Sequence, residues 1–131
     1  MQKAVLEAIG AGVVKSAHDC ADGGLAVALV ECCFRYGADD PIGCDVNVEG
    51  GIRVDALLFG ETQSRVILTA NAAGIEKIKS IAAAHGVPVS ILGKVGGESI
   101  NIKVNGQEKI NRQVAKLKKL WQEAIPKLLN S

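Results

Sequence analysis

The spacing of apolar residues along the chain alternates between a helical period and the period of a strand. Helical spacing predicts helices over residues 2–12, 24–36, 54–59 and 73–85 and over a terminal segment that carries Val114, Leu117, Trp121, Ile125 and Leu128. The second helix is apolar on nearly every side, which predicts its burial, and Gly37 marks its end. In the terminal helix Pro126 is expected to cause a kink or fraying, because proline removes one helical hydrogen bond.

Shorter apolar runs between these helices predict the strands. They cover residues 14–17, 42–48, 65–70, 87–95, 100–104 and 107–110. Gly96-Gly97 and Asn105-Gly106 are tight-turn signals that predict hairpins. Because helices and strands alternate first and hairpins follow, the predicted class is α+β, a mixed α/β sandwich with helices packed on a mostly antiparallel sheet.

Length and composition narrow the class of protein. The chain has 131 residues, of which 48% are hydrophobic, and this suits a single domain over residues 1–131. A formal net charge of +1 and an aromatic content of 3% argue against a nucleic-acid partner. The basic run Lys116 to Lys119 falls in an amphipathic pattern and predicts a solvated helix face.

No apolar run reaches the roughly 18 residues of a membrane span, and no secretory leader is evident, so we predict a cytoplasmic protein without a membrane partner.

The four cysteines lack the paired spacing of a C-x-x-C metal or redox motif. Reduced thiols, mostly buried, are therefore predicted. A zinc site formed by His18, Cys20 and Cys44 is the alternative, although these residues do not have a known ligand spacing.

The first candidate site is the turn from His18 to Gly24, which precedes the second helix. Asp22 is predicted to be the N-cap, and Gly23 and Gly24 lack the Cβ that would keep a ligand or a neighbouring backbone away from the helix amides. Because Asp19 and Asp22 carry the same charge sign as a phosphate, an anionic ligand would need Mg²⁺ held by these two carboxylates. The alternative is a capped, buried helix that binds nothing.

The second candidate site is the polar segment from Gly60 to Arg65. Glu61 has the chemistry to bind a metal or a ribose hydroxyl, and Arg65 to hold a phosphate or a carboxylate. The alternative is an ordinary loop with a Glu-Arg pair that enters a strand. The chain contains neither a Walker P-loop nor a G-x-G-x-x-G motif, so a nucleotide site of those two types is excluded.

Together, the segments SAHDCADGGLAVALVECC and LFGETQSRVILTA resemble the C-terminal domain of phosphoribosylformylglycinamidine synthase, in the aminoimidazole ribonucleotide synthetase-related superfamily. The resemblance extends over essentially the whole chain, including the closing segment WQEAIPKLL. It implies a fold like the C-terminal domain of aminoimidazole ribonucleotide synthetase. It also implies that the chain is a fragment of a longer protein and inactive when isolated.

The activity implied by the resemblance is an amidation that depends on ATP and Mg²⁺. The amide oxygen of formylglycinamide ribonucleotide is phosphorylated, and ammonia from a glutaminase subunit or domain then displaces the phosphate. The implied partners are that glutaminase, the N-terminal dimerising domains of the parent synthetase and small-molecule nucleotides. The alternatives are a sister enzyme (aminoimidazole ribonucleotide synthetase, selenophosphate synthetase or thiamine-monophosphate kinase) and a non-catalytic nucleotide-binding or scaffold module.

The family's synthetase chain carries two tandem copies of a two-domain unit, and this chain resembles the second copy's C-terminal domain, which is associated with an auxiliary nucleotide site. Glu61-Thr62-Gln63 resembles the family's Glu-Ser-Gln signature, with Thr62 in place of the commoner serine. No catalytic residue is assigned. The residues that the resemblance implies to face nucleotide or substrate are His18, Asp19, Asp22, Gly23, Gly24, Glu61, Gln63, Ser64 and Arg65.

Overall fold

A computed structural model of the chain describes residues 1–35 and 40–129. In chain order, the elements of these ranges are α1 (Gln2–Gly10), β1 (Ser16–Asp19), α2 (Gly24–Phe34), β2 (Cys44–Val48), α3 (Val54–Phe59), β3 (Val66–Thr69), α4 (Ala72–Ala84), β4 (Gly93–Val95), β5 (Ser99–Val104), β6 (Gln107–Gln113) and α5 (Val114–Leu129).

Backbone contacts divide the chain into two compact units, each built from two separate segments. The first unit comprises Met1–Asp22 and Glu61–Ile91, and the second comprises Gly23–Gly60 and Leu92–Ser131. The first unit therefore holds α1, β1, β3 and α4, and the second holds the remaining elements.

In the first unit, β1 and β3 form a two-stranded antiparallel ribbon that pairs Ser16 with Thr69 and Asp19 with Val66. Its small core lies between α1 and α4, where Ala4, Ala8 and Ile81 are buried. The small alanines of α1 allow the two helices to approach closely. The same two helices are also joined on the surface, since His85 Nε2 lies 2.7 Å from Glu7 Oε2.

The second unit contains a four-stranded sheet in the order β4-β2-β5-β6. β2 is parallel to β5, whereas the pairs β2–β4 and β5–β6 are antiparallel. Alternate residues of β2 and β5 are buried, as period-two patterning requires: Cys44, Val46, Val48, Ile100, Ile102 and Val104. Helix α2 contacts β5 and α5, and the rings of Phe34 and Trp121 pack with centroids 5.7 Å apart.

The predicted α+β class is confirmed, and three of the four strand pairs within the described ranges are antiparallel. All five predicted helices are present in these ranges, with ends that differ by up to two residues where both are described. Helix α5 continues through Pro126 to Leu129. Helix α2 ends at Phe34, and Gly37, its predicted end, lies outside the described residues. No helix in the described part of the chain is both long enough and apolar enough to cross a bilayer.

The predicted strand 87–95 is too long, and the predicted hairpin at Gly96-Gly97 is wrong. Of residues 87–95, Gly93–Val95 alone form a strand. The Gly96-Gly97 turn does not make a hairpin of β4 and β5, because both strands pair with β2, which lies between them. The two glycines instead exchange backbone hydrogen bonds with Gly43, from Gly43 N–H to Gly97 O over 2.7 Å and from Gly96 N–H to Gly43 O over 2.8 Å. The predicted strand 14–17 also begins later, at Ser16.

Candidate functional site

The two candidate segments of the sequence meet at one end of the β1–β3 ribbon. Because the strands are antiparallel, the end of β1 lies beside the start of β3, and Asp19 is paired with Val66. Just beyond this pair, the backbone N–H of Cys20 donates to the carbonyl oxygen of Arg65 over 3.1 Å. The turn after His18 and the loop from Glu61 are thus neighbours within the first unit.

His18 and Asp19 form the start of this site. The Nδ1 atom of His18 lies 2.6 Å from the backbone carbonyl oxygen of Asp19, and since a carbonyl accepts, Nδ1–H is the donor. The His18 side chain is 29% exposed, while that of Asp19 is 72% exposed. The histidine is therefore held by the backbone, and the Asp19 carboxylate faces solvent.

Cys20 and Arg65 are more buried than the exposed carboxylate of Asp19. Cys20 is 2% exposed, and its burial raises the pKa of the thiol, while the positive charge of Arg65 opposes the rise and the negative charge of Asp19 adds to it. A neutral, buried thiol is not a nucleophile at neutral pH. Arg65 is partly buried, with its Nε atom shielded from solvent.

The loop before β3 supplies the remaining polar groups. Glu61, Gln63 and Ser64 are exposed, and Ser64 adopts a left-handed conformation with φ of 66°. Such a backbone is uncommon for a residue with a Cβ and costs of order 1–3 kcal/mol. This turn at Ser64 directs the chain into β3. Glu61, Gln63 and Arg65 therefore lie on one continuous loop.

Asp22 does not cap α2, which corrects the prediction from the sequence. The N-cap is Gly23, in the left-handed region with φ of 74°, and no side chain makes a cap hydrogen bond. Gly24 also has a positive φ of 76°, and a Cβ there would lie 2.7 Å from the backbone C and 2.8 Å from the Cα of Phe59. The positive φ angles of the two glycines set where α2 begins. The missing Cβ of Gly24 allows α2 to lie against the end of α3 in the second unit. Asp22 remains an exposed carboxylate of the first unit.

The alternative of a zinc site formed by His18, Cys20 and Cys44 finds no support in the described residues. Among the residues that the structure describes, no group of three or more His, Cys, Asp or Glu side chains is arranged to hold a metal ion. Cys44 instead has its sulfur 3.8 Å from the sulfur of Cys33. The Mg²⁺ prediction concerns a different donor set, because Mg²⁺ takes one or two carboxylates and completes its shell with phosphate oxygens and water. Asp19 and Asp22, the two carboxylates of that prediction, are both exposed.

A surface pocket of the second unit was not anticipated from the sequence. Arg53 closes one side of it and pairs with Asp55, with Nε 3.1 Å and Nη2 2.6 Å from the two carboxylate oxygens. The pocket has a volume of about 520 Å³ and is lined by Arg53, Val54, Asp55, Leu58, Phe59, Lys109 and Ile110. The signal for it was the Arg-x-Asp spacing beside exposed Phe59. Asp55 pairs with Arg53, and Lys109 is the remaining charged residue of the lining.

The chain belongs to the family described as AIR synthase related protein, C-terminal domain, which matches residues 1–105. Among its relatives, the phosphoribosylformylglycinamidine synthase subunit PurL of Moorella thermoacetica is 38% identical over 129 residues, covering 98% of this chain and 17% of the relative. The PurL subunit of Alkaliphilus metalliredigens is 34% identical over 131 residues, covering 100% of this chain and 17% of the relative. The chain therefore spans a small part of the length of these relatives, and the family resemblance in its motifs is confirmed.

Solved structures share the fold. Thermotoga maritima PurL complexed with ATP aligns with a TM-score of 0.76 at 20% identity, covering 88% of this chain and 20% of that chain. The structure of PurLQS from the same organism aligns with a TM-score of 0.75 at 20% identity, with the same coverage of 88% and 20%.

Proposed function

We propose that this chain is the C-terminal domain of a phosphoribosylformylglycinamidine synthase, which amidates formylglycinamide ribonucleotide in purine biosynthesis with ATP and glutamine-derived ammonia. The observation that carries the proposal is the 3.1 Å hydrogen bond from Cys20 N–H to Arg65 O, which joins the two polar segments in a chain 38% identical to a PurL subunit. Both compact units belong to one domain of a longer protein in this proposal.

The proposed role of the site is to orient nucleotide phosphates. Arg65 offers a partly buried positive charge, and guanidinium groups form strong hydrogen bonds with phosphate oxygens. Asp19 and Asp22 are the residues that would hold Mg²⁺, and this ion supplies neutralisation of the phosphate charge. In this proposal Glu61 accepts from a ribose hydroxyl, and Gln63, Ser64 and His18 are further polar contacts. Such a site promotes the reaction by positioning and charge stabilisation and needs no protein nucleophile, in keeping with the neutral thiol of Cys20.

The proposal includes partners and a cellular location. The N-terminal dimerising domains of the synthase complete the cleft, and a glutaminase supplies ammonia. A relative solved as PurLQS, and others solved with ATP or ADP, support the subunit partners and the nucleotide. The reaction takes place in the cytoplasm, in agreement with four cysteines in the thiol form.

A chimeric synthase tests the proposal directly. The matching C-terminal part of Moorella thermoacetica PurL is replaced by this chain, and ammonia-dependent, ATP-dependent amidation is measured. We expect an active enzyme whose activity falls at least tenfold on Arg65→Ala, because removal of a charged partner of phosphate costs more than about 1.4 kcal/mol. The matched control is Arg53→Ala, which removes an exposed guanidinium already paired with Asp55. A folded chimera without activity contradicts the proposal.

A scaffold domain with a non-catalytic nucleotide site is the second candidate. Gly24 favours this candidate. The close approach of the Phe59 backbone explains why a residue without a Cβ is needed there, and no ligand has to be invoked. Calorimetric titration of the chimera with ATP and Mg²⁺ separates the two candidates. If Asp22→Asn and Glu61→Gln weaken ATP binding and activity together, the domain contributes to the catalytic site. If they weaken binding alone, the nucleotide site is auxiliary, and if they change neither, the domain is a scaffold.

A further inference from the structure

Two buried cysteines of the second unit lie in contact with one another. Cys33 is in the last turn of α2 and Cys44 is the first residue of β2. Their sulfur atoms are 3.8 Å apart, and the residues are 4% and 6% exposed. The backbone fixes this approach, because Ile42 N–H donates to the carbonyl oxygen of Cys33 over 3.0 Å, two residues before Cys44.

We propose that Cys33 and Cys44 are an oxidative modification site, at which a peroxide converts the two thiols into an intramolecular disulfide. This inference does not depend on the proposed synthase activity. A disulfide bond is about 2 Å long, so the sulfurs must move together by roughly another 2 Å, a distance within reach of changes in the side-chain torsions.

The electrostatics of the pair divide the chemical roles between the two residues. The thiol of Cys33 donates a hydrogen bond to the sulfur of Cys44, and this lowers the pKa of Cys44 although burial opposes the change. The same hydrogen bond, together with burial, raises the pKa of Cys33. Since the thiolate is the reactive form, Cys44 is the nucleophile toward the oxidant and Cys33 is the resolving thiol.

The reaction balances in two steps. The Cys44 thiolate attacks one oxygen of hydrogen peroxide, the O–O bond breaks, and Cys44 becomes a sulfenic acid, while the leaving hydroxide takes up the proton that the Cys44 thiol had released and forms water. The Cys33 sulfur then attacks the Cys44 sulfur, the S–O bond breaks, and water leaves with the proton of Cys33. Two thiols and one peroxide molecule thus give one disulfide and two water molecules, with the two electrons passing to the peroxide.

The other two cysteines provide internal controls. Cys20 is buried at 2% exposure in the first unit, and burial raises the pKa of its thiol. Cys32 adjoins Cys33 in sequence and is only partly buried. If accessibility alone decided the oxidation, Cys32 would react before the buried pair.

Peptide mapping tests the proposal. The whole chain is treated with hydrogen peroxide, remaining thiols are alkylated under denaturing conditions, and a tryptic digest is analysed without reduction. Trypsin separates residues 16–35, which contain Cys20, Cys32 and Cys33, from residues 36–53, which contain Cys44. We expect one linked pair of these peptides, lighter than their sum by two hydrogens, and fragmentation that assigns the bond to Cys33 and Cys44.

Variants then confirm the assignment. The linked peptide is expected to persist in Cys20→Ser and Cys32→Ser and to disappear in Cys33→Ser. Because a buried serine could unfold the chain, fragmentation of the unaltered protein decides the question independently of that variant. The proposal is overturned if Cys33 and Cys44 are both recovered as alkylated thiols after peroxide treatment. It is equally overturned if the bond joins Cys44 to Cys20 or Cys32.

Discussion

Asn105 holds the backbone of Gly50 with both ends of its side-chain amide. Its Nδ2 donates to Gly50 O over 2.9 Å, and its Oδ1 accepts from Gly50 N–H over 3.2 Å. The neighbouring Gly106 N–H donates to Asn47 Oδ1 over 2.9 Å. Three hydrogen bonds that involve side chains, together with the backbone bond from Asn105 N–H to Val48 O over 3.0 Å, therefore attach the β5–β6 turn to the end of β2 and the loop that follows it.

Removal of this amide is expected to destabilise the chain. Asn105 has a left-handed backbone with φ of 49°, so Asn105→Gly keeps the turn while it removes two hydrogen bonds, at a cost of about 1–3 kcal/mol in the free energy of unfolding. Asn105→Ala adds backbone strain and is expected to cost about 1 kcal/mol more. Urea unfolding measures both. The control is Asn111→Ala on exposed β6, and an equal loss there would contradict the assignment.

Gly24→Ala is expected to cost more than Gly51→Ala. The new Cβ at Gly24 would lie within 2.9 Å of three backbone atoms of Leu58 and Phe59, at a φ of 76°. Left-handed strain alone accounts for about 1–2 kcal/mol, and the clash adds to it. At Gly51 nothing lies within 4 Å of the added Cβ. Denaturant midpoints of the two variants measure the difference, and similar midpoints would show that α2 does not need this close approach.

Ile100 is expected to be among the most sensitive apolar positions of the second unit. It is fully buried in β5 at 0% exposure, so Ile100→Ala should lower the free energy of unfolding by about 2–5 kcal/mol through lost burial and a residual cavity. Ile52, at 62% exposure, is the control, and Ile52→Ala should change it by less than about 0.5 kcal/mol. Thermal unfolding followed by circular dichroism checks the order of the two values.

The buried thiol of Cys20 is expected to make stability depend on alkaline pH. Burial raises its pKa above the ordinary 9.0, so its contribution is fully present below pH 9.0 and is lost as the pH rises through the native pKa. As the pH rises, the thiol ionises in the unfolded chain before it ionises in the folded chain, and this stabilises the unfolded state relative to the folded state. The free energy of unfolding of the unaltered chain, relative to that of Cys20→Ala, should therefore fall above pH 9.0. Parallel pH curves for the two proteins would refute this.

Local signals in the sequence predicted the helices and the β5–β6 hairpin because their patterns depend on neighbouring residues. Asn105-Gly106 is such a signal, and its turn joins two adjacent strands as predicted. The Gly96-Gly97 signal failed because β2, far away in the sequence, pairs with both flanking strands. Sheet order is a long-range property that turn chemistry does not encode.

In the candidate site, too, the sequence predicted local features and did not predict long-range contacts. The residue types around Asp19 and Arg65 were evident from the sequence, and the antiparallel register that joins them became apparent in the structure. The N-cap was misplaced because two consecutive positive φ angles, at Gly23 and Gly24, delay the start of α2. The contact of Cys33 with Cys44 had no signal in the cysteine spacing, since it depends on how a helix end meets a strand.

Each unit consists of two separate chain segments, and this affects both truncation of the protein and its folding during synthesis. The chain passes from the first unit to the second at Gly23, returns at Glu61 and leaves again at Leu92. No single truncation can therefore isolate either unit, since removal of residues 1–22 leaves residues 61–91 in the chain and deprives β3 of its partner β1. On the ribosome, β2 emerges before its partners β4 and β5, so its strand edges stay unpaired until those strands follow.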